Sequence, residues 1–148
     1  MVDRFKKFSF SIFEITRCWH KLAGEEMAKY GLKGPYAFYL IAMIHHEEGL
    51  TARELCELCG RDKADVSRAM SDMEQKGLVI RSGEGTYRAR LKLTEEGERA
   101  ARHVSLRASV AVEHAGAGLS DKEREVFYKS LDIITGNLHQ LSQSGLPE

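Results

Sequence analysis

The stretch that most constrains this chain is Thr51 to Asp62, which contains two helix starts with a glycine between them. Thr51-Ala52-Arg53-Glu54 has the form of a capping box: the threonine hydroxyl takes one orphan amide of the helix start, and Glu54 reaches back for another. Gly60 stops the helix so begun, and Asp62 is a good N-cap for the next. Two short helices separated by a tight turn follow. In the second, Val66, Ala69, Met70 and Met73 share one face, leaving the opposite face polar. Gly77 ends that helix, and the apolar run Leu78-Val79-Ile80 leads to the turn signal Ser82-Gly83-Glu84-Gly85. The chain returns through Tyr87 to Leu93, where apolar residues alternate with Arg88, Arg90 and Lys92. That period of two predicts a hairpin with one core face and one basic face.

The flanking segments read as helices. Phe5, Phe8, Ile12, Ile15, Trp19 and Leu22 recur at gaps of three and four, an apolar stripe on a long first helix that stops near Tyr30-Gly31. Gly34-Pro35 restarts the chain, and Leu40-Ile41-Ala42-Met43-Ile44 is apolar nearly all round, as in a central buried helix. Thr94-Glu95-Glu96 opens a fifth helix with acids in the first turn and a narrow stripe of Val104, Ala108, Ala111 and Ala115. A second capping box, Ser120-Asp121-Lys122-Glu123, starts a last helix carrying Phe127, Leu131, Ile134, Leu138 and Leu141. The expected fold class is mainly α with a small β wing, one domain over residues 1–148. The terminal stripes exceed what one small unit obviously needs, and a helical dimer interface is preferred to packing within one chain.

With 148 residues, 43% hydrophobic and 30% charged, the chain has an ordinary globular composition. No apolar run suits a membrane span and no signal peptide opens the chain, so a cytoplasmic protein without a membrane partner is expected. Three cysteines make an odd count, and reduced thiols are the default. No phosphate loop, nucleophile elbow or zinc-hydrolase phrase occurs, so neither an enzyme nor a cofactor is expected. The net charge is zero, but residues 61–92 carry eight Lys/Arg against five acids, while residues 94–148 carry six against nine. The middle of the chain is basic and its tail acidic.

A short helix, a tight turn, a second helix with a polar outer face and a basic hairpin is the element order of a winged helix-turn-helix, here about residues 35–93. The second helix fits a major groove, and its outer side supplies donors and acceptors for base edges. Arg61, Lys63, Ala64, Ser67, Arg68 and Ser71 are candidates to face duplex DNA, with Arg88 and Arg90 of the hairpin on the backbone or minor groove. Asp65 either accepts from a cytosine amino group or completes the N-terminal cap with Asp62, and the cap is preferred.

The phrases Leu50 to Gly60, Asp62 to Arg68, Glu74-Gln75-Lys76-Gly77-Leu78-Val79 and Leu93-Thr94-Glu95-Glu96-Gly97, with the flanking helices, resemble the multiple-antibiotic-resistance regulator (MarR) family. The resemblance implies a two-fold homodimer built on helices at about 4–30 and 94–143, which binds pseudo-palindromic operators and usually represses transcription. It further implies a small, often aromatic, effector in a cleft for which Trp19, Tyr36 and Tyr39 are candidate lining residues. Where the family's wing usually bears Asp-x-Arg, this sequence reads Gly85-Thr86-Tyr87, with Arg88 one step later.

Other features have plainer readings. Cys56-x-x-Cys59 lacks a second pair to complete a zinc site and suits core packing. His45-His46-Glu47-Glu48 suits a solvated helix end better than a metal site. Some relatives sense peroxides through a cysteine on the first helix, where Cys18 stands beside Trp19 and His20. A thiol-sensing regulator and a winged helix that binds proteins rather than DNA stand as the alternative functions.

Overall fold

A computed structural model describes residues 2–83 and 89–148. Its elements run α1 (Val2–Ala28), α2 (Tyr36–Met43), α3 (Ala52–Cys59), α4 (Lys63–Gln75), β1 (Val79–Ser82), β2 (Arg90–Leu93), α5 (Glu95–Ala115) and α6 (Asp121–Ser144). This is the mainly helical, winged architecture expected. The chain divides into two compact units, 1–109 and 110–148, with the division inside α5. Among the described residues no helix is long and apolar enough to cross a membrane.

The expected caps form. The Glu54 amide donates to Thr51 Oγ1 at 3.2 Å while the Thr51 amide donates to Glu54 Oε2 at 2.8 Å. Gly60 adopts φ of +60°, in the left-handed region that a side chain would disfavour, and so turns the chain sharply from α3 into α4. Asp62 Oδ1 accepts from the Asp65 amide at 2.8 Å, starting α4. Around this frame lies the core, in which Leu40, Leu55, Val66, Ala69, Met70 and Met73 are wholly buried. The shared face read for α4 is therefore its core face.

The hairpin pairs Val79 with Leu93 and Arg81 with Leu91 in antiparallel register. Leu91 and Leu93 are buried while Arg90 and Lys92 are exposed, as the alternation predicts. The first strand is shifted by one residue, taking in Ser82, which the sequence assigned to the turn. Leu78 stays outside β1 because its amide donates to Met73 O at 2.9 Å, completing the α4 stop. Of the return strand, Tyr87 and Arg88 lie outside the described residues. Leu50 adds a bridge, exchanging two backbone hydrogen bonds with Leu91 at 2.8 and 2.9 Å.

The N-terminus of α5 is locked to the end of α4. Thr94 Oγ1 donates to Gly77 O at 2.6 Å and accepts from the Gly97 amide at 3.0 Å, while the Thr94 amide donates to Leu78 O at 3.0 Å. Gly97 passes so close to Leu78 that a Cβ there would stand 1.9 Å from the Leu78 carbonyl oxygen. This docking sets the buried face of α5 as Gly97, Ala100, Ala101 and Val104. The face begins about two turns earlier than the sequence suggested and fades beyond Val104, with Ala115 exposed.

Glu26, near the end of α1, gathers Lys29 at 2.6 Å, Arg107 of α5 at 3.0 Å and the His103 ring at 3.4 Å. Hydrogen bonds from Lys29 and then Arg107 hold its carboxyl down to about 2. Elsewhere α1 leaves its stripe open to water, with Phe5 71% and Ile15 58% exposed. Taken by itself, α6 buries no residue, and its Phe127, Ile134 and Leu138 are exposed.

Two stability outcomes follow from these contacts. Gly97→Ala should cost about 2–3 kcal/mol in urea unfolding, because the added carbon forces α5 off Leu78. Glu26 has a lowered folded pKa, so its contribution is complete above the unfolded value of 4.5 and is lost as pH falls towards 2. Glu26→Gln should therefore lose about 1–2 kcal/mol at pH 7 and show a flatter decline in stability between pH 4.5 and 2.

Candidate nucleic-acid interface

Since α4 buries Val66, Ala69, Met70 and Met73, its other side must face solvent, and Lys63, Ala64, Ser67, Arg68 and Ser71 are all exposed there. The six residues read from the sequence as the DNA-facing set are thus brought together, with Arg61 half-buried in the turn that leads into the helix. Asp65 differs from expectation. The cap is made by Asp62 alone, and the Asp65 carboxylate instead accepts from Arg68 Nη2 at 2.6 Å. The cause is helix geometry: the i, i+3 spacing lays the guanidinium over the carboxylate one turn before it.

Beneath this face the helix is tied to α2. Tyr36 is buried, and its hydroxyl donates to Asp72 Oδ2 at 2.7 Å across the α2–α4 contact. Burial, then the hydrogen bond to Asp72, pushes the Tyr36 hydroxyl up to about 12. Tyr36 and the buried Tyr39 line a pocket of about 180 Å³ with Lys33, Pro35, Arg61, Asp65 and Arg68. Two of the three residues expected at an effector cleft therefore meet. Trp19, half-buried on α1, is not part of that lining. Lys33 and Asp72 were not singled out from the sequence; the signal for Lys33 was its place just before the Gly34-Pro35 helix start.

In the hairpin, Arg90 Nη1 donates to Gly49 O at 3.0 Å and lies 4.0 Å from Glu54 Oε2, so it braces the wing against the start of α3. Arg81 pairs with Glu74 at 2.6 Å. Arg88, the other hairpin candidate, lies outside the described residues.

The remaining polar features are dispersed. Cys56 and Cys59 are half-buried against the core, and burial pushes the Cys59 thiol up. Cys18 is exposed, with its sulfur 3.7 Å from Glu14 Oε1. Among the described residues no cluster of His, Cys, Asp and Glu suits a metal ion, His45 and His46 included.

Tyr36→Phe removes a phenol whose folded pKa is raised, so wild-type stability from this group is present below pH 10 and lost as pH climbs towards 12. In chemical denaturation the variant should be about 1 kcal/mol less stable at pH 7, and that gap should narrow between pH 10 and 12.

Residues 30–88 match the MarR family. No curated protein matches the sequence. Among solved structures, a MarR transcriptional regulator from Methanosarcina mazei Go1 is similar at 21% identity and a TM-score of 0.82, covering 92% of each chain. A MarR-family regulator from Listeria monocytogenes, solved in complex with a 26mer DNA, aligns at 19% identity and a TM-score of 0.80, over 93% of this chain and 95% of that one. CouR from Rhodococcus jostii RHA1, solved with bound p-coumaroyl-CoA, aligns at 20% identity and a TM-score of 0.74, over 86% and 90%. The matched segment holds α2, the helix-turn-helix and the first hairpin strand, and the fold of the whole chain is similar to that of solved MarR-family regulators.

Proposed function

We propose that this protein is a homodimeric, sequence-specific DNA-binding repressor of transcription that acts in the cytoplasm without enzymatic chemistry. The observation that carries this reading is the exposed polar face of α4, held over a fully buried face by α3, the Thr51 and Asp62 caps and the Tyr36–Asp72 hydrogen bond. Lys63, Ala64, Ser67, Arg68 and Ser71 enter the major groove, Arg61 lies on the adjacent phosphates, and the hairpin, with Arg88 and Arg90, follows the flanking backbone. The DNA-bound Listeria monocytogenes regulator, which shares the fold, supports this reading.

Two copies bind a pseudo-palindromic operator, one recognition helix to each half-site. The lobe at about 35–93 reads the DNA, while helices at about 4–30 and 94–143 join the copies. The exposed apolar stripe of α1 and that of α6 each need a cover, and a second copy supplies it. A small aromatic effector held by Tyr36 and Tyr39 meets Arg61 and Arg68 in the same pocket, so that effector and DNA compete.

Fluorescence anisotropy with duplex DNA over a salt series tests the proposal. Wild type should bind with a steep salt dependence, and Arg68→Ala should weaken binding by about 1–3 kcal/mol at an unchanged oligomeric state. Absence of binding to any selected duplex at low salt would instead favour a protein-interaction module.

A further inference from the structure

Resting on the DNA-binding reading, we infer that Asp65 is a specificity-determining residue that restrains Arg68 from indiscriminate phosphate contacts. The Asp65 carboxylate lies in the first turn of the recognition helix, within one pocket lining with the cationic Lys33, Arg61 and Arg68. It contacts the Arg68 guanidinium at 2.6 Å. The cap of α4 does not need this carboxylate, because Asp62 takes the Asp65 backbone amide. Nor does the pair add much stability, since its side chains are 66% and 39% exposed and solvent screens such a pair heavily.

Its consequence falls on binding. A phosphate that draws Arg68 away must break the pair or accept a carboxylate close by, so each contact to an arbitrary backbone is penalised. A guanine edge takes two guanidinium N–H groups, and a cytosine amino group donates to a carboxylate. A site that offers both satisfies Arg68 and Asp65 together. The pair thus lowers affinity for random sequence more than for such a site, and specificity is the difference between the two.

The test compares wild type, Asp65→Ala, Asp65→Asn, Arg68→Ala and the Asp65→Ala/Arg68→Ala double variant. The probes are a random-sequence 30-base-pair duplex and a duplex recovered by in vitro selection with wild type. Circular dichroism and thermal melting check that each variant folds. Asp65→Ala should bind the random duplex about three- to tenfold more tightly at 100 mM salt, with a log–log salt slope steeper by about 0.9, one additional phosphate. The selected duplex should gain no comparable tightening, so the specificity ratio falls. Asp65→Asn should behave in the same direction, and the slope change should vanish when Arg68 is absent. If wild type binds duplex DNA but Asp65→Ala leaves the random-duplex affinity and slope unchanged, the inference falls and the DNA-binding reading stands. If wild type binds no duplex at any salt, both fall. A change in melting temperature alone, as loss of a favourable first-turn acid would give, also overturns the inference.

Discussion

The arrangement depends most on the close approach of α5 to the backbone at Leu78. The Thr94 amide donates to Leu78 O, the Thr94 hydroxyl donates to Gly77 O, and the Gly97 amide donates to the Thr94 hydroxyl oxygen, so that the start of α5 is tied to the segment between α4 and β1. A glycine is required at 97 because the space belongs to the Leu78 carbonyl. With the C-terminal end of α4 fixed in this way, Tyr36–Asp72 on one side and α3 on the other leave the helix little freedom to roll. Its outward face is therefore set by contacts on every other side.

Electrostatics are organised locally. Most ion pairs among the described residues join side chains three or four apart, as in Glu14–Arg17, Arg53–Glu57 and Glu95–Arg99, and such exposed pairs add little stability. Arg61 and Lys63 stand at the start of α4 beside the Asp62 cap, and Arg68, paired with Asp65, stands about one turn on. Glu26 differs, because it ties α1 to α5 while only 18% exposed and holds three partners at once.

Most of the helix-turn-helix was legible in the sequence because its signals act over three or four residues. Both capping boxes and the Asp62 cap form as their spacing predicts, and the α4 apolar face is the core face. The hairpin was legible in kind and less so in extent. Alternation places Leu91 and Leu93 inwards, yet it does not report that Leu78 gives its amide to Met73. The stripe on α5 was legible by period, but where burial begins along it depends on Leu78, which no periodicity reveals.

By itself the sequence determined which segments are helical, where they start and stop, which faces are apolar, and that a polar helix face and a basic strand lie in succession. Those properties follow from hydrogen bonds and side-chain spacings within one or two turns. Only the tertiary structure decided that Tyr36 holds Asp72, 36 residues away, that Arg107 reaches Glu26 across 81 residues, and that Arg90 braces Gly49. Asp65 and Arg68 show the boundary between the two. Their spacing made a pair available, but the engagement of the Asp62 cap elsewhere left the carboxylate to the guanidinium, and a choice among competing partners is settled only when all of them are in place.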